Sequence, residues 1–277
     1  MGFRIATNVG SLNSQRALSK MTKKEQTVTA QLASGERITK SSDDSAGLAI
    51  SEKLKANIRS TMQANRNAND GISMIQVAEG GLTEQADILV RMRELAIQSA
   101  SDTIGQTERG YTDMEYQQLK NELERISQTT EFNEVNLLNG QSPALTFQIG
   151  SGNDAFKDQI TYDTAKISAG LESLGLTEET VGTREGAQNS LLKVDDAIKT
   201  VSGQRAELGS LQNRLLITSS NLETSVENMS AANSRIRDVD YAAATAQNTQ
   251  INIMKQAGIA VLSQANQVPT QALRLIG

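Results

Sequence analysis

The sequence contains no cysteine, no histidine and no tryptophan. Without cysteine there is neither a disulfide nor a thiolate. Without histidine the chain lacks the usual general base and the commonest metal ligand. Aromatics make up 3% of the 277 residues and apolar residues 38%. That is a poor supply of large side chains for the thick core of a compact globule. There are only two prolines, Pro143 and Pro269, so long uninterrupted helices are open to the chain. No apolar run reaches the roughly 18 residues of a membrane span. The net charge of −5 is spread along the chain without a basic stripe, which argues against nucleic acid as a partner. The opening MGFRIATNVGSL lacks the apolar core of about 7–15 residues that marks a signal peptide. Export, if it occurs, is expected to use a route that reads no such leader.

What the chain does have is helical periodicity. A first segment runs from about Ile5 to Ser34, with Leu18, Met21, Val28 and Leu32 on a three-four pattern that Glu25 interrupts. Ile5, Val9 and Leu12 form a stripe out of phase with it. Gly35 in SGER breaks the helix. Ser41 with Asp44 three residues on resembles a capping box that restarts it. The second segment continues to about Ala100, a rod of roughly 80 Å. Inside it lies the tripeptide Asn69-Asp70-Gly71, a turn signal within a helical pattern. The helix is expected to hold there through packing, the small residues allowing close approach. A shorter helix carries Tyr116, Leu119, Leu123 and Ile126 on one stripe. Alternation at Leu145, Phe147, Ile149 and again at Ile160, Tyr162 predicts a β-hairpin. From about Thr183, Leu191, Val194, Ile198, Val201 and Leu208 hold one heptad register, continued after a slip by Leu211, Leu215, Leu222, Val226, Met229 and Ile236. In the last segment Ile251, Met254, Gly258, Val261, Ala265 and Val268 follow steps of three and four, a coiled-coil seam with small residues in it. The predicted architecture is mainly α. It is an elongated rod of long antiparallel helices, with the two terminal helices paired as a coiled coil and a small β-hairpin region. The segments divide as 1–42 plus 236–277 for the terminal coiled coil, 43–140 plus 183–235 for the long and shorter helices, and 141–182 for the hairpin region.

Motifs that carry chemistry elsewhere read differently here. GSGNDA, residues 150–155, formally matches a dinucleotide fingerprint, but a second strand follows where a helix would be required, so a hairpin turn is expected. Asp43-Asp44 and Asp195-Asp196 are adjacent carboxylates that diverge by about 100° on a helix and do not converge on one cleft. Asp238-Val239-Asp240 lacks the remaining ligands of a calcium loop and reads as a turn between helices. No catalytic residue, cofactor or metal site is predicted. The methionines are read as seam fillers, with a peptide-binding groove as the sharper alternative.

Several motifs carry a specific resemblance. RIATNVGSLNSQRAL is similar to the opening I-x-T-N-x-x-S-L-x-x-Q-x-x-L of bacterial flagellins. LASGERITKSSDDSAGLAISEKL resembles L-S-S-G-x-R-I-N-x-A-x-D-D-A-A-G-L-A-I. QANRNANDGISMIQVAEGGLTE, VRMRELAIQSA, RAELGSLQNRL, NLETSVENMSAANSRIRDVDYA and QAGIAVLSQANQVPTQALRL follow in family order. The likeness covers roughly residues 3–140 and 190–276. Ala33, Ser45, Glu134 and Ala244 depart from the residues usual at their positions, and the middle is short for the family. The resemblance implies a structural subunit that polymerises with copies of itself into the extracellular flagellar filament, for motility. It implies secretion by the flagellar type III apparatus, and export chaperone, cap and junction proteins as partners. It implies assembly through a seam of Leu18, Met21, Val28 and Leu32 against Ile251, Met254, Gly258, Val261, Ala265 and Val268. It further implies that the host Toll-like receptor for flagellin contacts Arg91, Leu95 and Glu115. The competing expectation is a flagellin-related junction or export-linked rod protein that does not polymerise alone.

Overall fold

The structure is a computed structural model that describes residues 7–274, with side chains described through Gln267. Five helices dominate it: α1 (Val9–Ser34), α2 (Ser45–Ala100), α3 (Gln106–Thr129), α4 (Arg184–Arg237) and α5 (Tyr241–Arg274). Two antiparallel strand pairs join them, β1 (Glu131–Phe132) with β2 (Val135–Asn136) and β3 (Leu145–Gln148) with β4 (Gln159–Tyr162). The chain forms two compact units, residues 57–227 and residues 1–56 with 228–277. Ile5 of the expected first helix lies outside the described residues.

In the unit of residues 57–227, α2 and α4 run antiparallel, tied by Arg93 to Asp195 at 2.6 Å and by Asn65 to Glu223 at 3.3 Å. Their inner faces, with α3, bury Ile75, Leu82, Leu89, Met92, Tyr116, Leu123, Leu208 and Leu215. The predicted heptad of α4 is fully buried at Val194, Val201, Leu208, Leu211 and Leu215. Beyond Ser219 the same stripe is only partly covered.

The tripeptide at 69–71 is helical throughout. Gly71 is buried beneath β3: a Cβ there would stand 3.1–3.2 Å from the ring of Phe147. Asn67 donates from Nδ2 to the Gln148 carbonyl at 2.9 Å, fixing the same strand. The helix therefore carries a glycine because a hairpin lies flat upon it, and the strand contact offsets the roughly 1 kcal/mol that glycine costs in a helix interior.

The GSGNDA loop is the turn region of the β3–β4 hairpin. Leu145 pairs with Tyr162 and Gln148 with Gln159. The carboxylate of Asp158 fills the space over Gly150 and Gly152, and accepts from the Asp154 N–H at 3.0 Å. A second, two-residue hairpin at β1–β2 escaped the sequence pattern. Its turn residues Asn133 and Glu134 have φ of 50° and 65°, the arrangement of a type I′ turn.

The segment 163–183 forms no named helix or strand. Its backbone is satisfied by side chains reaching in from three helices. Gln85 donates to Ala169 O at 3.2 Å and Gln204 to Ser168 O at 2.8 Å. Along α3, Asp113 accepts from Val181 N, Gln117 and Lys120 donate to Glu179 O, and Glu124 accepts from Leu171 N. Lys120 is buried, and desolvation holds its ammonium below the ordinary lysine value. These contacts to main-chain atoms fix the path of the segment together with its own buried side chains Ile167, Leu174, Leu176 and Val181.

Candidate functional site

The unit of residues 1–56 and 228–277 is built on the antiparallel pairing of α1 with α5. Asn8 caps α1 by accepting from Ser11 N at 2.9 Å, and its Nδ2 donates across to Ala265 O at 2.7 Å. The inner stripe of α1 runs Ser11, Ser14, Leu18, Met21, Glu25, Val28, Leu32, an unbroken three-four repeat. Val9 and Leu12, the out-of-phase stripe, face outward. Glu25, which interrupts the apolar pattern, is answered from the other helix: Lys255 Nζ lies 2.7 Å from its Oε2, with both side chains about two-thirds or more covered. Such a pair contributes roughly 0.2–1 kcal/mol and sets register.

On α5 the seam differs from the sequence expectation. Ala244, Asn248, Ile251, Lys255, Gly258, Leu262 and Ala265 face α1. Ile251, Gly258 and Ala265 were expected there. Met254 is 36% exposed and Val261 58% exposed, so both turn outward. The reason is the choice between two overlapping heptads that share Ile251, Gly258 and Ala265. Apolar content favours Met254 and Val261, whereas the Glu25–Lys255 pair selects the other. Val268 lies outside the described side chains. Gly258 packs closely on α1: a Cβ on it would stand 3.0 Å from Leu18 Cδ1.

The chain enters and leaves this coil through a clasp. Residues 35–37 and 237–239 pair as a short antiparallel bridge, with Arg37 N donating to Arg237 O at 2.6 Å and Val239 N to Gly35 O at 2.9 Å. Gly35 ends α1 with φ of 72°. Arg237 is mostly covered and grips Glu36 at 3.1 Å and Glu52 at 2.6 Å, which hold its guanidinium above the ordinary value, Glu52 contributing most. Asp240 is a helix cap, accepting from Ala242 N and Ala243 N. At the start of α2 the expected Ser41–Asp44 box is replaced: Asp44 alone caps the helix through Gly47 N at 2.9 Å. Asp43 closes the preceding turn, accepting from Lys40 N and Thr39. Those hydrogen bonds, led by the Lys40 N–H, hold its carboxyl below the usual range.

In the other unit, Arg91 and Glu115 come together. Arg91 Nη2 lies 2.8 Å from Glu115 Oε1, and Nη1 lies 2.8 Å from Glu94 Oε2. All three side chains are about half exposed. Glu94 first, then Glu115, hold the Arg91 guanidinium above its ordinary value. Leu95 is not on this surface. It is 1% exposed, in the core beside Met92 and Ala96. One turn along α2 moves the side chain about 40° around the axis, enough here to carry it from the rim into the core.

Asp195 pairs with Arg93 and Asp196 with Lys199 on exposed surface, so the two carboxylates diverge. Among the described residues no group of three potential ligands could hold a metal ion, and no helix is long and apolar enough to cross a membrane. What the structure offers is a set of interhelical contacts and outward apolar faces, the features of a helical assembly protein.

Residues 5–142 match the bacterial flagellin N-terminal helical region and residues 191–276 the bacterial flagellin C-terminal helical region. The chain is 41% identical to a flagellin of Halalkalibacterium halodurans over 97% of its own length and 98% of the relative's. It is 38% identical to a flagellin of Bacillus subtilis, over 99% and 100%. The crystal structure of Bacillus cereus flagellin superposes with a TM-score of 0.50 at 32% identity, over 61% of this chain and 94% of that one. The chain belongs to the bacterial flagellin family. It is a structural filament protein and not an enzyme.

Proposed function

We propose that this flagellin polymerises into the extracellular filament chiefly through the terminal domain, residues 1–42 and 236–277. The inner domain is read as 43–140 and 183–235, with 141–182 as its hairpin and variable insert. The observation that supports this is the set of apolar side chains that the terminal helices leave outward. After the α1–α5 seam is filled, Val9, Leu12, Ile253, Ile259 and Val261 remain exposed. These side chains are about half exposed, so burying the remainder gains roughly half of the about 1.5–3 kcal/mol of full burial, and head-to-tail contacts that do not close generate helical filaments. Secretion through the type III apparatus, and the help of an export chaperone, a cap and junction proteins, complete the reading by family likeness. The test is a fragment of residues 41–236 seeded with filament ends. It stays soluble and helical and sediments as monomer; filaments from it would refute the assignment.

The Arg91–Glu115 pair supports a second role, contact with the Toll-like receptor for flagellin; Leu95, buried in the core, is not part of that contact. Arginine at a partly covered site is a frequent hot spot. Arg91→Ala is expected to weaken monomer binding by about 1–2 kcal/mol in surface plasmon resonance. Unchanged affinity would remove the site.

A further inference from the structure

We propose that Asn139 is a self-modifying site at which the folded chain promotes loss of its own side-chain ammonia. The carboxamide of Asn139 is already folded forward: its Oδ1 accepts from the N–H of Gln141 at 3.0 Å. This side-chain turn closes a hydrogen-bonded ring that contains both Cγ and the intervening peptide nitrogen, that of Gly140. The same N–H polarises the carbonyl and is placed to stabilise the oxyanion that forms when Cγ is attacked. Gly140 carries no Cβ to obstruct the approach. Its N–H donates to no protein acceptor among the described residues, so no hydrogen bond has to break before it loses its proton. Both residues are partly exposed, so hydroxide and water reach them.

The step balances without any oxidant or cofactor. Hydroxide takes the proton of Gly140 N. That nitrogen bonds to Asn139 Cγ, the Cγ–Nδ2 bond breaks, and the nitrogen leaves as ammonia after taking a proton from water. The product is a five-membered succinimide. Water then adds to either ring carbonyl, giving aspartate or, with the main chain routed through the former side chain, isoaspartate. One water is consumed and one ammonia released.

Other turns of this kind in the chain are not equipped for it. Asp154, Asp163 and Asp240 accept from the N–H two residues on, but they are carboxylates followed by Ala155, Thr164 and Tyr241. Asn8 accepts from Ser11 N, three residues on, and is followed by the β-branched Val9.

The product matters because the turn is tightly seated. Leu138, one residue earlier, is fully buried and accepts from Ala169 N at 2.9 Å. A Cβ on Gly140 would meet Ser168 Oγ at 2.6 Å. Isoaspartate lengthens the main chain by one carbon between these two anchors, so the turn and the 163–183 segment no longer both fit.

The experiment incubates the purified full-length chain at mildly alkaline pH. It follows ammonia release, the mass of the proteolytic peptide containing residue 139, and isoaspartate by isoaspartyl methyltransferase labelling. A synthetic peptide of residues 134–145 runs in parallel. The proposal expects Asn139 to convert in the folded chain at or above its rate in the peptide, and ahead of every other asparagine. It expects Asn139→Gln to abolish the signal at this site while folding normally, and the isoaspartate fraction to melt at lower temperature. Conversion slower in the folded chain than in the peptide, or another asparagine converting first, overturns it.

Discussion

Gly80 and Gly81 are neighbours on α2, and alanine is expected to have opposite effects at the two. At Gly80 nothing lies within 4 Å of an added Cβ. The substitution therefore brings only the helix-propensity difference, a gain of about 1 kcal/mol. At Gly81 the Cβ would stand 2.7 Å from Thr130 Oγ1, 2.8 Å from Leu138 Cδ1 and 3.0 Å from Thr130 Cγ2. Neither neighbour is free to retreat. Thr130 Oγ1 donates to Ile126 O at 2.7 Å, and Leu138 is fully buried. Overpacking costs about 1–3 kcal/mol, which cancels or exceeds the same propensity gain. The two variants should differ by about 1–3 kcal/mol, with Gly80→Ala above the parent and Gly81→Ala at or below it. For a unit of this size that is a separation of at least roughly 2–4 °C in melting temperature. Helix ellipticity followed through heat or urea unfolding of the monomer measures it. If Gly81→Ala is as stable as Gly80→Ala, the packing of the 130–138 hairpin onto α2 is wrong.

Gly258→Leu is expected to overpack the terminal seam against Leu18 by about 1–3 kcal/mol and to leave monomer in the supernatant when filaments are pelleted; normal yield of heat-stable filaments would contradict it. Glu134→Gly relieves a side chain held at φ 65° and should raise monomer stability by about 0.5–1 kcal/mol in urea unfolding, no gain meaning that the turn is not held so. In acid, Asp43, Glu122 and Asp195 have carboxyls held below the usual range, by the Lys40 N–H, Arg125 and Arg93 respectively. Their contribution is present above the unfolded value near about pH 4 and is lost as pH falls through the lower folded values. With no histidine in the chain, a transition centred near pH 7 in a light-scattering titration would contradict this reading.

The long helices were legible because each buries one regular stripe over many turns, and Val194, Val201 and Leu208 show that stripe filled as read. The β3–β4 hairpin was legible from its alternation. Less visible were places where polar or small residues occupy core positions. Ser11 and Ser14 sit in the α1 seam and Lys255 in that of α5, where an apolar template sees gaps. Choosing Met254 and Val261 followed from the same template. Leu95 shows the limit of face arguments, since residues four apart share a face only to within about 40°. The β1–β2 hairpin was missed because glutamate, not glycine, stands at its second turn position. Nothing in a single sequence marks the clamp on residues 163–183, whose contacts join Gln85, Asp113, Lys120 and Gln204 to main-chain atoms far away in the chain.

In a helical reconstruction of filaments grown from the purified full-length chain, the seam joining Val28 to Ile251 is expected to stay within one subunit, while Ile253, Ile259 and Val261 become buried against neighbouring subunits. A filament in which these three side chains keep their monomer exposure, with subunits joined only through residues 57–227, would contradict it.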